Sequence, residues 1–465
     1  MSQTGDYESL VNPHRKPQAL HDAAVISDEF PEPAKAGEEP AKVIEIGAVD
    51  GWNPRNGHLL TFIGLFIFSV ILYFRPYELI PSLSSITNMA FIAGVVTLCI
   101  YVPSQFVLEG NLTARPREIN LILLFLLTAF LSMPLATSPG EAYTTFTDVL
   151  LKAIVIFIVI VNVIRTESRL KLLIWLVFAV SLYLSINAIS DYSHGIFREG
   201  SAYYNDQRIG GTIGGLFGNS NDMALHLVTM VPLAVGFAFV TKGLLRKLLF
   251  IGLAVLFVSG IVVTFSRGGF LGLFIAALVL TRKIGRRNKF LSTAALVVAM
   301  LALLIFAPGS YTGRLSTIFN SAADATGSSS QRTEILKRSI WVTLRYPVFG
   351  VGIGNFHYKS VQELVTHNAY TQVSSEMGIP ALVIYVMLMV YPLRRLREIE
   401  SQTENRADKR KFYYLSIGIQ TSIIAYMVSS FFASVAYQWY IYYLVGYAVA
   451  LRRLYYLDQH AERQT

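Results

Sequence analysis

Long apolar runs separated by short charged connections dominate this chain, near residues 58–74, 84–102, 119–137, 148–164, 170–190, 220–240, 246–265, 269–281, 289–307, 379–393, 412–432 and 434–451. A helix needs about 20 residues to cross roughly 30 Å of hydrocarbon, fewer where it or the bilayer adjusts. About twelve spans are therefore predicted, the eighth and tenth of them short. Because a spanning helix satisfies its own backbone groups inside lipid, the expected fold class is an all-α polytopic membrane protein.

The pattern breaks once on a large scale. Between the ninth and tenth runs lies a mostly polar stretch of about seventy residues, too long to be an ordinary connection and expected to form a mostly helical loop domain. Within it, Ser321 to Gln331 reads as a flexible run of small polar residues. Arg332 to Tyr346 then has helical periodicity, with Ile335, Leu336, Ile340, Trp341 and Leu344 on an apolar side. Pro347 stops that helix, and Gly350, Gly352 and Gly354 mark a loop of unusual backbone angles before Asn355. A second helix is predicted to begin near His367, with Tyr370, Thr371 and Ser374 on its side. Two smaller polar segments, Asp191 to Gly218 and Thr264 to Gly269, belong to the same predicted face. The division expected is a disordered tail at 1–56, spans at 57–307, the loop domain at 308–378, spans at 379–455 and a short tail at 456–465.

Charge sets the orientation. Arg115, Arg117, Arg165, Arg169, Lys171, Lys242, Arg246, Lys247, the cluster from Arg282 to Lys289, the stretch from Arg394 to Lys411, and Arg452 with Arg453 all fall on one side of a twelve-span arrangement. Cations in short loops mark the cytoplasmic side, so both termini are expected inside and the loop domain outside. Hydrophobic residues are 53% of the chain and charged residues 15%. The net charge of +9 is explained by these loops, which removes the argument for a nucleic-acid partner. The tail to about Asn56 is rich in Pro, Glu, Ala and Lys and lacks the short apolar core of a cleavable signal, so targeting is expected from the first span. Cys99 is the only cysteine, so no disulfide framework or cysteine metal site forms within one chain.

Arg267, beside Gly268 and Gly269 between two apolar runs, is the sharpest chemical signal. A guanidinium at the bilayer centre costs about 2.5–3.5 kcal/mol on insertion scales, so it must face a polar cavity, a lipid phosphate or the interface. A snorkelling interfacial arginine is an equally good reading of this residue alone. His367 is the candidate for proton transfer, since imidazole titrates near neutrality, although a lone histidine is more often structural. Arg332, Arg338 and Arg345 lie on the same predicted side, and a base among fixed cations suits an anionic substrate reacting at a hydroxyl. Glu376 at the mouth of a span reads more readily as an arginine partner than as an acid or base. No phosphate-binding Gly-rich loop, no Asp-x-Asp pair and no metal-ligand spacing occurs. With chemistry facing outward, the donor is expected to be already activated and lipid-borne.

The order Gly218-Asn219-Ser220-Asn221-Asp222-Met223-Ala224, then Ser266-Arg267-Gly268-Gly269, then Arg332 through Trp341 leading to Tyr346-Pro347-Val348-Phe349-Gly350-Val351-Gly352-Ile353-Gly354-Asn355-Phe356, then His367-Asn368-Ala369-Tyr370 through Glu376-Met377-Gly378-Ile379 resembles the O-antigen ligase and polymerase superfamily. The likeness covers roughly Gly215 to Val390; the first five spans fit only as hydropathy. Ala369 and Thr371 stand where bulkier apolar residues are usual. The resemblance implies a GT-C-like membrane glycosyltransferase of the bacterial inner membrane, working on its periplasmic face without metal, nucleotide or other cofactor. It implies undecaprenyl diphosphate as carrier of the donor glycan, and a lipid A core or another glycan or protein as acceptor. His367 then matches the proposed general base, and Arg267 and Arg332 match the arginines that would hold the diphosphate. Arg338, Arg345, Arg208, Asn221, Tyr370 and Glu376 are further candidate substrate contacts. The competing readings are a repeat-unit polymerase of the same superfamily, a polyprenyl-glycan transporter without covalent chemistry, and a scaffold for an envelope complex.

Overall fold

A computed structural model describes residues 57–83, 86, 88–197, 208–215, 217–285, 290, 293–294 and 328–464. The expected disordered tail at 1–56, most of the ninth apolar run at 289–307, the loop segment 308–327, and Arg198, Tyr203, Tyr204, Asp206, Arg286, Arg287, Lys289 and Asp324 lie outside the described residues.

The described chain is helical, with no strand among its residues. The main helices are α1 (Leu59–Phe74), α2 (Met89–Glu109), α3 (Arg117–Ser132), α4 (Pro139–Val163), α5 (Glu167–Ser193), α6 (Ser220–Val240), α7 (Leu244–Val263), α8 (Arg267–Ile284), α9 (Ser328–Arg345), α10 (Ala369–Met377), α11 (Ile379–Thr403), α12 (Arg410–Ser429) and α13 (Trp439–Gln464). Nine helices among the described residues are long and apolar enough to cross a membrane. They coincide with nine of the twelve predicted runs, and the chain is a multi-pass membrane protein. The eighth and twelfth runs form α8 and α13. Three charges in α8, and the tyrosines and paired arginines of α13, make these two less uniformly apolar than the rest.

Helix α6 is the central post, with 83% of its most apolar window buried against 22% for the peripheral α2. It packs on α7, α8 and α12. Small residues permit the approach, as expected where lipid supplies no hydrophobic drive between helices. A Cβ on Gly236 of α6 would lie 3.0 Å from the Tyr414 carbonyl oxygen of α12, and Ser422 Oγ of α12 donates to the Thr229 carbonyl of α6 at 2.6 Å. Both α7 and α12 have 20 residues, about 30 Å of rise, so their two ends mark two faces of the bundle.

At one end, buried charges are neutralised inside the protein. Glu118 accepts two hydrogen bonds from Arg452 at 2.8 and 3.0 Å, Arg165 pairs with Glu109, and Lys283 pairs with Glu400. At the other end sit α9, α10 and the glycine-bearing loop between them. Ile335, Val342, Val351 and Phe356 form a small core of their own there, separate from the main one. The predicted apolar side of α9 needs correction, because only Ile335 is buried while Ile340, Trp341 and Leu344 are exposed. Its inward face is built instead from Ile335, Ser339, Val342 and Thr343.

Candidate functional site

Three chain turns bring the candidate residues together, and each is fixed by a side-chain cap. Asn219 accepts the Asn221 N–H at 2.8 Å and starts α6. Ser266 accepts the Gly269 N–H at 3.2 Å and starts α8, while its own hydroxyl donates to Asn221 Oδ1 at 2.9 Å. Capping of this kind satisfies otherwise orphaned donors, and the last bond ties two motifs into one unit. Gly268 and Gly269 are required by packing, since added Cβ atoms would lie 2.7 Å from Phe432 Cβ and 2.8 Å from Ala224 Cβ. Arg267, the first residue of α8, is thereby held where α6, α8 and the end of α12 meet.

The third turn carries His367. Asn368, with extended backbone, accepts the N–H groups of Tyr370 and Thr371 at 2.9 and 3.1 Å, so α10 begins at Ala369. His367 is therefore not in the helix as predicted. Its φ of 51° places it in the left-handed region, which costs a non-glycine residue energy unless its surroundings impose it. Ser434 supplies that constraint by accepting the His367 N–H at 2.8 Å. The helical spacing expected to align Tyr370, Thr371 and Ser374 with His367 does not apply. Tyr370 donates to the Met427 carbonyl at 2.7 Å, and Ser374 lies 2.8 Å from Thr343.

Arg267, Arg332 and His367, remote in sequence, line one pocket of about 200 Å³. Its other walls include Leu271, Leu336, Thr366, Asn368, Phe431 and Phe432. Burial, then the charges of Arg332 and Arg208, push the His367 pKa down to about 4. The imidazole is thus neutral at physiological pH and within electrostatic reach of both guanidinium groups. Arg208 is itself buried. Sequence reasoning missed the two phenylalanines, which read as the tail of an apolar run, and Ser434. Asn368 had a legible signal, an Asn immediately before a helical pattern.

The remaining candidates act elsewhere. Arg338 donates to the Lys359 carbonyl at 2.6 Å and stacks over Trp341 at 4.5 Å, and neither it nor the exposed Arg345 is among the pocket-lining residues. Among the described residues Glu376 has no arginine partner of the predicted kind; it accepts the Gly354 N–H at 2.8 Å and the Tyr437 hydroxyl at 2.7 Å. Its burial raises the pKa to about 7 against those hydrogen bonds. Lys152, a cation within the fourth predicted run, pairs with Asp148 at 2.7 Å.

Around Glu376 the glycine loop is locked in place. Val351 and Gly352 N–H groups donate to the carbonyls of Ser375 and Glu376, each at 2.9 Å. Gly352 has φ 96°, and a Cβ there would come within 2.5 Å of Ala136. Ile353 N–H donates to Ser132 at 3.1 Å, and Asn355 Oδ1 accepts the Ser138 N–H at 2.6 Å. The α3–α4 junction, which sequence alone marked only by hydropathy, is thus a foundation of the site.

No curated protein and no solved structure matches the chain. Residues 252–386 match the family model described as O-Antigen ligase. That match covers under a third of the chain and spans Arg267, Arg332 and His367, so this part of the multi-pass membrane protein is similar to the O-antigen ligase family.

Proposed function

We propose that the chain transfers a glycan from undecaprenyl diphosphate to an acceptor hydroxyl on the periplasmic face, in a single inverting displacement without metal. The observation that carries this reading is the shared pocket of Arg267, Arg332 and His367. At about 200 Å³ it is smaller than sites for drug-sized ligands, which run from about 300 Å³. It suits a diphosphate group, with the sugars held outside it. Arginine forks bind phosphate oxygens bidentately, and here they would also stabilise the negative charge that grows on the departing diphosphate.

The acceptor's O–H proton passes to a ring nitrogen of neutral His367. The acceptor oxygen bonds to the anomeric carbon, and the carbon–oxygen bond to diphosphate breaks, leaving its electron pair on undecaprenyl diphosphate. A donor anion beside Arg332 offsets that guanidinium's share in lowering the imidazole pKa, so His367 becomes a stronger base when the donor is seated, although burial still holds it below the ordinary value. With the pocket outside, the charge bias of the short loops puts the opposite end of the bundle in the cytoplasm, and the described loop residues 328–378 lie on the outer face.

The test is purified protein with a polyprenyl-diphosphate glycan and candidate acceptors, lipid A core among them. His367→Ala should lower transfer by about 10²–10⁴-fold, the usual contribution of a general base, while donor binding persists. Unchanged transfer by that variant removes the assignment. Product length separates the two family activities: one glycan moved intact indicates a ligase, and stepwise extension of a second lipid-linked repeat a polymerase.

A further inference from the structure

At the end of α7 and α12 remote from His367, a second and larger cleft of about 1080 Å³ opens between α5, the α6–α7 turn and the start of α12. Its lining holds five cations, Lys171, Lys242, Arg246, Arg410 and Lys411, against the two carboxylates Glu167 and Asp408. Lys171 and Lys411 both reach Glu167, at 2.9 and 3.3 Å. Lys242 and Arg246 are exposed and form no ion pair among the described residues. The bias of cations toward one membrane side explains their presence but not their gathering around a cavity.

Two further features point to an anion. Helices α7 and α12 both begin at this cleft, each with no side-chain cap and no acidic residue in its first turn. Each instead places basic residues there, the unfavourable sign for a helix start, an arrangement that a bound anion at the exposed N–H groups would reverse. Below the basic rim the cleft is walled by Trp175, Leu249 and Phe250. Leu245 and Leu248 of α7 are 83% and 53% exposed beside it, a surface suited to acyl chains.

We propose that this cleft binds the phosphate headgroup of an anionic phospholipid of the leaflet opposite the His367 pocket, its acyl chains running along α7. A basic recess between helices at a membrane surface is a general form of lipid-headgroup site. The apolar wall continuous with the lipid-facing side of α7 favours a lipid over free phosphate.

The test is native mass spectrometry of the full chain released from mixed vesicles of phosphatidylglycerol and phosphatidylcholine. Wild type should retain phosphatidylglycerol preferentially. Lys242→Gln with Arg246→Gln should reduce that preference about 30-fold, the scale of two juxtamembrane cations acting together. The thermal transition of this exposed-site variant should match wild type, which separates lost binding from lost folding. Excess inorganic phosphate should leave the lipid bound. Equal retention of both lipids, an unchanged preference in the variant, or full displacement by inorganic phosphate would each overturn the proposal.

Discussion

Both ends of this helix bundle collect arginines, but they use them differently. At the end holding Arg452, Arg165 and Lys283, each cation meets a carboxylate from a different helix, Glu118, Glu109 and Glu400 respectively. Those pairs join distant parts of the chain. At the other end, Arg267 and Arg332 stand with a neutral imidazole around a cavity. The same residue type serves as a rivet in one place and as a lining in the other. Burial and partner, more than residue identity, decide which.

Substitutions that separate stability from transfer sharpen this contrast. The largest effect is expected for Arg452→Ala, which leaves Glu118 buried without its partner, a change that typically costs about 3–5 kcal/mol. A sharp drop in the thermal transition in detergent should accompany it, and a fully stable variant would break the comparison. Next, Arg267→Lys keeps the charge but loses the planar fork. We expect about a 10–100-fold loss of transfer, the scale of one or two charge-assisted hydrogen bonds, with the thermal transition nearly unmoved. Equal damage to stability would place Arg267 with the rivets.

The pH dependence comes third. Burial and two guanidinium charges push His367 down to about 4, so the acid limb of kcat/KM should lie well below the ordinary histidine value of 6.5, and under the proposed function the limb of kcat should lie above that of kcat/KM, because an anionic donor offsets the nearby positive charge while burial persists. Coincident limbs near 6.5 would remove the influence of Arg332 and Arg208. Glu376 has the opposite sign. Its pKa rises from 4.5 to about 7 on folding, so its contribution is fully present below pH 4.5 and is lost as pH climbs through about 7. Thermal scans from pH 5 to pH 8 should therefore decline more steeply for wild type than for Glu376→Gln. The smallest effect belongs to Arg338→Ala, expected to keep transfer within about threefold, as for surface changes worth under about 0.5 kcal/mol.

What could be read from the sequence follows the range of the forces involved. Apolar runs are local, and nine of them reappear as spanning candidates among the described residues. Residues as far apart as Arg267 and His367 could be placed on one predicted face, because alternating spans convert position along the chain into side of the membrane. Three-dimensional partners were another matter. The burial of Glu376 against Gly354 and Tyr437 leaves no local trace, and Arg338 reads like Arg332 in the sequence, although only Arg332 lines the pocket and Arg338 is bonded to Lys359. Arg452 and Arg165 read as topology markers, although both are buried members of ion pairs. His367 fell just outside its helix because Asn368, one residue later, takes the cap.

The glycine loop has one more consequence. With Ile353 and Asn355 fastened to Ser132 and Ser138, and residues 351–352 fastened to the chain at 375–376, this segment behaves as a fulcrum. Under the proposed function, a bulky carrier would then meet a fixed base here, and the pocket walls on α9 and on the stretch leading into His367 are the ones left to yield.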